Sequence, residues 1–222
     1  MIPPGQDAAF VAAMEDVLDV YCRPQDARFP VVNMDEQPVQ LVADAREPLP
    51  MAPGRPQRHD YEYERRGTSN VFLFVEALAG WRRLSERSRK TSVDWAHEVR
   101  RLLNEDYPQA EKVVLVCDNL NTHKTASLYQ AFEPEEARRL ARRLEIHYTP
   151  KHGSWLNIAE CELSVFTRQE LSERVPDAPA LAAKADTWSR ERNDRQQGVH
   201  WRFTTEDARI KLTRLYPQVQ LL

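Results

Sequence analysis

The sequence predicts a mixed α/β fold, in which an antiparallel three-stranded meander is joined by parallel strands and the sheet is flanked by helices. Three observations support this prediction. Short β-branched segments come early in the chain, an apolar run without alternation lies near its centre, and helical periodicity precedes and follows that run. A strand that is apolar throughout is typical of a parallel strand buried on both faces. The chain has 222 residues, 41% of them apolar, which suits one domain with its own core.

The chain begins with one predicted helix and one predicted strand. Apolar side chains recur at helical spacing over residues 7–21, which indicates an amphipathic entry helix. The β-branched segments 31–35 and 39–42 together predict the first strand, with Pro38 as an interruption between them. Prolines and a glycine fill residues 48–56, and they predict an exposed loop without regular structure.

Further antiparallel strands complete the predicted three-stranded meander. Residues 61–64 alternate, residues 71–75 are apolar throughout, and residues 81–84 follow a glycine. We expect turns at Gly67 and Gly80 to join these strands.

The second half of the chain predicts helices and two more strands. A helix from about residue 92 to residue 107 ends at a proline, and the apolar residues 112–117 predict a strand buried on both faces. A helix follows over 134–144, with proline and acids in its first turn. The remaining predicted elements are a strand at 146–149 and helices at 156–171 and 178–191, followed by a helical tail.

Composition excludes several classes of protein. No segment approaches the roughly 20 apolar residues of a membrane span, and the N-terminus lacks the pattern of a secretory signal, so we expect a cytoplasmic protein. Lys and Arg total 31 against 34 Asp and Glu, which excludes an overall basic coat but permits a local basic face. The three cysteines have no CxxC spacing and the six glycines form no GxGxxG or Walker motif, which argues against structural zinc and a nucleotide cofactor.

Three carboxylates occupy positions that favour a metal site. Asp35 ends the first predicted strand, Asp118 ends the buried central strand, and Glu160 lies in the first turn of a helix. The carboxyl ends of parallel strands are where α/β sheets bind ligands. Carboxylates without a His or Cys cluster favour Mg²⁺ over zinc. Two such ions about 4 Å apart can activate an attacking oxygen and stabilise a leaving one.

Each acid also has a plain structural interpretation. Asn157 and Glu160 fit a variant of the capping box, in which the acid only satisfies the helix start. Asp118 and Asn119 are common turn residues after a strand, and Asp35 could be a solvated acid. The occurrence of all three in order favours the functional interpretation.

The motifs around these acids resemble the catalytic domain of IS630-type transposases. Residues 114–123, Val-Leu-Val-Cys-Asp-Asn-Leu-Asn-Thr-His, contain Asp-Asn-x-x-x-His, and residues 148–160 contain Ser-x-Leu-Asn-x-x-Glu. Residues 33–36, Asn-Met-Asp-Glu, match the first acidic motif of the family, and residues 203–209 resemble its tail. The resemblance therefore covers nearly the whole chain. This family belongs to the DDE superfamily, which has an RNase H-like fold.

The resemblance implies a function and a set of catalytic residues. Asp35, Asp118 and Glu160 would form the metal-binding triad of a transposase that cleaves DNA and transfers strands with Mg²⁺, for which Mn²⁺ substitutes. Glu162 is the competitor for the third position, but it points about 200° away from Glu160 on the helix, and only Glu160 fits the motif. There are 41 residues between Asp118 and Glu160, more than in many relatives, and the helix at 134–144 accounts for the surplus.

The resemblance also implies partners and domain organisation. We expect double-stranded DNA, as transposon ends and target, to be bound by a homodimer in the bacterial cytoplasm, associated with the nucleoid, with no membrane and no nucleotide cofactor. Relatives carry helix-turn-helix modules ahead of the catalytic domain. This sequence starts at the entry helix, so we expect a single catalytic domain over residues 1–222 in which those modules are absent.

Further residues are candidates for DNA contact because they lie beside the acids or in a positive run. His123 could position a phosphate or be structural, and Trp155 could stack on an unpaired base or pack in the core. Charged runs are usually solvated faces, and the arginines within 138–143 suit a salt-bridged helix, so only the run at 82–90 is chosen. The candidates are Asn119, His123, Lys151, His152, Trp155, Arg82, Arg83, Arg87, Arg89 and Lys90.

Two alternative functions remain open from the sequence. One is an RNase H-like nuclease that cuts DNA without joining it. The other is a truncated transposase product that binds DNA or inhibits a full-length partner without catalysis. A pre-cut 3′-hydroxyl end discriminates the first alternative from a transposase, because only a transposase joins it.

Overall fold

The computed structural model describes residues 7–46, 51–55 and 60–218. Its centre is a five-stranded sheet. The strands are β1 (Val31–Asp44), β2 (Tyr63–Glu76), β3 (Trp81–Arg87), β4 (Val113–Cys117) and β5 (Leu144–Tyr148). In the order β3-β2-β1-β4-β5, the first three strands pair antiparallel, whereas β4 is parallel to both β1 and β5. The predicted mixed sheet, with its antiparallel meander and parallel strands, is confirmed.

Seven α-helices flank the sheet in the described part of the chain. Side-chain caps define several of their starts: Asp7 caps the entry helix, and Thr91 forms a capping box with Asp94 at the next helix. That second helix continues through a π-helical turn, Leu102–Asp106, before it ends. The helices are α1 (Ala8–Tyr21), α2 (Ser92–Arg101), α3 (Thr125–Ala131), α4 (Pro134–Arg142), α5 (Ile158–Glu170), α6 (Ala178–Asp194) and α7 (Thr205–Lys211).

Alternation along the strands divides the core into two layers. Val32 and Met34 of β1 face one side, where they pack with Trp95 and the other apolar residues of α2, α3 and α4. Val114 and Val116 of β4 face the other side, where they pack against α1 and α7, while α5 and α6 cover β1 and β2 on that same side. Every residue of β4 is buried, as its apolar sequence predicts.

Pro38 does not interrupt the first strand, contrary to our prediction. β1 runs through it without a break, and Pro38 lies opposite Asn70 of β2. β4 pairs with β1 only over residues 31–33, so at Pro38 one side of β1 has no strand neighbour. Proline is tolerated at such an edge because no ladder hydrogen bond is needed there.

Gly67 lies inside β2 rather than in a turn, so that prediction is wrong. The register shifts between Gln40 and Val42, opposite Thr68 and Arg65, so that β2 has one more residue than β1 at this point. Gly67 adopts a φ of 94°, which suits a β-bulge. By contrast, Gly80 forms the predicted turn between β2 and β3.

The predicted proline-rich loop is only partly described. Residues 51–55 form a tight turn in which the Ala52 N–H donates to the Arg55 carbonyl at 3.0 Å. Pro48, Pro50 and Pro56 lie outside the described residues. None of the helices in the described ranges is long and apolar enough to cross a membrane.

Candidate active site

The parallel pairing of β1 and β4 places Asp35 and Asp118 level with each other. Asn33 pairs with Val116, and each acid lies two residues further along its chain. Neighbouring strands are about 5 Å apart, and side chains alternate between the faces of a sheet. Both acids therefore belong to the face of the sheet on which α1 and α5 pack.

Glu160 lies at the start of α5, the helix that packs on this same face of the sheet. The Asn157 side chain caps this helix by accepting from the Ala159 N–H at 3.0 Å, and its amide donates to the Met34 carbonyl of β1 at 3.2 Å. The helix start is thereby tied to the residue that precedes Asp35. Asn157 alone supplies the cap, so the capping-box interpretation of Glu160 is wrong. The Glu160 carboxylate is exposed and makes no hydrogen bond or ion pair with any described residue.

The three acids line one cleft with a volume of about 420 Å³. The opposite wall comes from the segment that follows β5 and leads into α5. A cleft of this size admits a phosphate group with its ions and water. Its lining residues are Asp35, Asp118, Asn119, Leu120, Thr149, Pro150, Lys151, His152, Ser154, Asn157 and Glu160.

Asp35 has an unusually high affinity for a proton. Burial raises the pKa of Asp35 to about 7, and the negative charges of Glu36, Asp118 and Glu160 act in the same direction. The Glu36 N–H, which donates to Asp35 Oδ1 at 2.8 Å, opposes this rise. Buried carboxylates that repel one another disfavour the charged form, and a cation bound among them would favour it.

The chemistry of these donors fits a hard divalent cation. Carboxylate oxygens come from Asp35, Asp118 and Glu160. Among the described residues that line the cleft, His152 is the one imidazole, and there is no thiol. As the side chains stand, no group of three or more His, Cys, Asp or Glu in the described ranges is close enough to hold a metal ion. Within the described ranges, Glu160 has no partner that would prevent it from turning toward an ion.

His123 is buried beneath the cleft between two carboxylates. Its Nδ1 lies 2.5 Å from Asp118 Oδ1, and its Nε2 lies 3.1 Å from Glu36 Oε2. Burial lowers the pKa of His123, but its interactions with Asp118, Cys117 and Glu36 outweigh burial and raise this pKa to about 12. Only 1% of His123 is exposed, so the prediction that it contacts DNA is wrong.

Arg82 and Arg83, which belong to the predicted DNA-contacting run, are also buried. Arg82 is 1% exposed, and its Nε lies 2.7 Å from Glu162 Oε2. Arg83 is 7% exposed and pairs with Glu98 at 2.5 Å and with Asp106 at 2.6 Å. The prediction is wrong for both residues, because each guanidinium neutralises a buried carboxylate. Glu162, the competitor of Glu160, is held in this way and does not line the cleft.

The other candidates for DNA contact have different environments. Arg87 is partly exposed and pairs with Glu98 at 2.7 Å, and Lys90 lies 3.9 Å from Glu36. Arg89 is exposed and unpaired among the described residues. Trp155 is half-buried and packs edge-on against Phe203, which favours core packing.

Three candidates remain on the cleft itself. Asn119, Lys151 and His152 line it, and Lys151 and His152 are exposed. Lys151 has no ion-pair partner within the described part of the chain, so its charge is available to an anion in the cleft.

Sequence reasoning missed two residues that organise the site. Glu36 is 3% exposed in its side chain, and Asn157 joins α5 to β1. Strand alternation could have found the first, because Glu36 falls on the same face as the buried Val32 and Met34. The bond from Asn157 to β1 had no signal in the sequence, since it spans 123 residues.

A family model described as DDE superfamily endonuclease matches residues 30–182, which is more than half of the chain and includes all three acids. The chain belongs to the DDE superfamily of endonucleases. The match confirms the superfamily that the sequence motifs indicate. No curated protein sequence matches the chain.

Solved structures of Mos1 transposase share the fold. The catalytic domain of Mos1 mariner transposase is matched with a TM-score of 0.58 and 11% identity over 98% of this chain and 100% of that one. The Mos1 strand transfer complex is matched with a TM-score of 0.61 and 15% identity over 95% and 62%, respectively. The Mos1 paired end complex with Mg is matched with a TM-score of 0.57 and 16% identity over 98% of this chain and 66% of that one.

At 11–16% identity, the likeness to the Mos1 structures concerns the fold. The likeness confirms the RNase H-like fold of a transposase catalytic domain. The chain spans about three fifths of the Mos1 transposase chain in the strand transfer complex.

Proposed function

We propose that this chain cleaves DNA phosphodiester bonds and transfers the resulting 3′-hydroxyl ends to a target, as a transposase catalytic domain. The observation that carries the proposal is the cleft lined by Asp35, Asp118 and Glu160 in a member of the DDE superfamily. Strand transfer is supported by the fold shared with Mos1 transposase, which has been solved as a strand transfer complex.

Asp35, Asp118 and Glu160 would hold Mg²⁺, with Mn²⁺ as a substitute. When bound, the ion supplies charge neutralisation at the phosphate and makes an attacking hydroxyl more acidic. The chain positions the three acids: Asp35 lies within β1, Asp118 follows the adjacent β4, and Glu160 lies at the start of a helix that Asn157 ties to β1. No side chain needs to form a covalent intermediate, because catalysis by this arrangement rests on orientation and electrostatics.

Basic side chains beside the acids would receive the DNA backbone. Lys151 and His152 lie on one side of the cleft. On the other side of Glu160, an adjoining groove is lined by Ser164, Thr167 and Arg168, and Arg168 is exposed and unpaired among the described residues. We infer that a DNA strand crosses Glu160 from Lys151 to Arg168. Each phosphate neutralised in this way releases counterions and makes binding dependent on salt.

The direct test is cleavage of supercoiled plasmid with Mg²⁺. Asp118→Asn should lower the cleavage rate by about a thousandfold or more, because losing roughly 4 kcal/mol of transition-state stabilisation costs three factors of ten. Glu111→Gln is a matched control, since this acid is exposed and far from the cleft in the fold. Nicking by Asp118→Asn at the control rate would contradict the proposed site.

A cut-only nuclease is the second candidate, because the matching family is described as endonucleases. An oligonucleotide duplex with a pre-cut 3′-hydroxyl end separates the two functions. A transposase joins this end to target DNA, whereas a nuclease leaves it free. A chain that binds the duplex but neither cuts nor joins it would instead be a non-catalytic binding module.

We also expect two copies of the chain to act on paired DNA ends, as the resemblance implies. Mos1 transposase has been solved as a paired end complex, which supports this expectation. Light scattering on the chain mixed with transposon-end duplex should give the mass of two chains with two duplexes.

A further inference from the structure

His123 bridges β1, which carries Asp35, and the end of β4, which Asp118 follows. Its ring nitrogens lie beside a carboxylate on each side, Glu36 from β1 and Asp118 from β4. Each ring nitrogen therefore lies within ion-pair distance of a carboxylate oxygen, and Nδ1 also lies 3.3 Å from the Asp118 main-chain carbonyl oxygen. Glu36 and His123 are 3% and 1% exposed in their side chains, so water does not weaken this bridge.

The surroundings fix the ring in one orientation. Trp95 stacks against it, with ring centroids 5.8 Å apart and an angle of 28° between the planes. The backbone of His123 is held on both sides, because its N–H donates to the Leu120 carbonyl at 3.1 Å and its carbonyl accepts from the Tyr148 hydroxyl at 2.8 Å. A ring held by stacking and by its own backbone is a rigid support for its neighbours.

Asp118 needs such a support. It follows the last residue of β4, so its backbone lies beyond the hydrogen-bonded strand. Its carboxylate is 40% exposed, yet Oδ1, the oxygen beside His123, is buried. The exposure therefore belongs to the other side of the carboxylate, which faces the cleft.

We propose that His123 is a positioning residue: supported by Glu36, it holds Oδ1 of Asp118 and so presents the second oxygen of this carboxylate to the cleft. The inference rests on the proposed function, because it assigns Asp118 the role of a metal ligand. His123 itself contacts neither substrate nor ion. Outer residues that orient metal ligands commonly change metal affinity or activity by 10–100-fold when they are replaced.

Two substitutions separate the two sides of the ring. The amide nitrogen of His123→Asn can occupy the place of Nδ1 and keep the contact with Asp118. The amide nitrogen of His123→Gln can occupy the place of Nε2 and keep only the contact with Glu36. We expect His123→Gln to weaken Mn²⁺ binding by about 10–100-fold and to lower kcat for DNA cleavage similarly. For His123→Asn, both the Mn²⁺ affinity and kcat should remain within about threefold of the wild-type values.

The probe is Mn²⁺ itself, titrated into the full chain while the spin-resonance signal of the free ion is measured. Equal Mn²⁺ affinity of wild type, His123→Asn and His123→Gln would overturn the positioning role and leave the proposed function intact. Equal losses in both variants would also overturn it, because a merely structural histidine does not distinguish its two nitrogens. A wild-type chain that neither binds Mn²⁺ nor cleaves DNA would overturn both proposals.

A measurement on the wild type covers the case in which the variants do not fold. Mg²⁺ should shift the ring nitrogen resonances of His123 in the nuclear magnetic resonance spectrum, because Asp118 contacts both the ring and the ion. The exposed His200 should not respond and serves as the control. Resonances of His123 that stay unchanged at saturating Mg²⁺ would contradict the inference.

Discussion

Glu162→Gln should destabilise the fold strongly, although it changes one oxygen of one side chain to an amide nitrogen. Glu162 accepts from Arg82 through both oxygens, at 2.7 and 3.2 Å, and from Arg192 at 3.0 Å. The Arg82 side chain is fully buried and that of Glu162 is 8% exposed. The substitution leaves two guanidinium groups beside a neutral amide in a site with little water.

The magnitude follows from this burial. Removing one partner of a buried ion pair costs about 3–5 kcal/mol, because the remaining charge stays desolvated without compensation. For a chain of this length, each kcal/mol corresponds to roughly 2–4 °C in the melting temperature. The melting temperature of Glu162→Gln should therefore fall by about 6–20 °C.

The control is an exposed pair on the same molecule. Arg66 and Glu64 are 3.1 Å apart, with side chains 55% and 57% exposed, so Glu64→Gln should cost only about 0–1 kcal/mol. Urea unfolding followed by circular dichroism measures both free energies. A loss below about 1 kcal/mol for Glu162→Gln would refute the reasoning and would return Arg82 to the residues available for DNA.

Three further predictions concern charge. Mg²⁺ should raise the melting temperature of the wild type, since ligand binding stabilises only the state that holds the ligand. A chain with Asp35→Asn, Asp118→Asn and Glu160→Gln should lose that response. An unchanged response in this triple variant would refute the assignment. Lys151→Ala should reduce the slope of log affinity for DNA against log salt by about 0.9, and a slope equal to that of the wild type would remove Lys151 from the backbone contacts. Burial opposes ionisation of Glu98, but two arginines outweigh it and lower the pKa of Glu98 below its ordinary value of 4.5. The resulting stability is present above that value and is lost as pH falls through the lowered pKa, so unfolding of Glu98→Gln between about pH 5 and pH 3 should depend less on pH than that of the wild type.

Much of the fold could be predicted from local patterns. The apolar run that became β4 and the helical spacing of α1 each reflect burial on a period that one sequence reveals. The bulge at Gly67 was missed because a glycine in a turn and a glycine in a bulge look alike until the partner strand is known. Helix α3 was not delimited, because its seven residues have no side-chain cap.

The site depended on motifs for its acids and on tertiary structure for everything else. Strand ends and a family resemblance predict Asp35, Asp118 and Glu160, and these acids line one cleft. The prediction that Asp35 ends its strand is wrong, because β1 continues to Asp44 through its pairing with β2. Arg82 and Arg83 looked like a basic surface because their carboxylate partners are distant in the sequence; Glu162 is 80 residues from Arg82. Charge alone therefore does not indicate exposure.

A crystal of the full chain grown with Mn²⁺ tests the central claim most directly, because anomalous scattering locates the ion without assumptions about activity. The account predicts a peak in the cleft, bound by oxygens of Asp35, Asp118 and Glu160 at about 2.0–2.2 Å, as hard divalent cations require. Anomalous density that is bound by other residues, or a cleft without an ion at millimolar Mn²⁺, would contradict it.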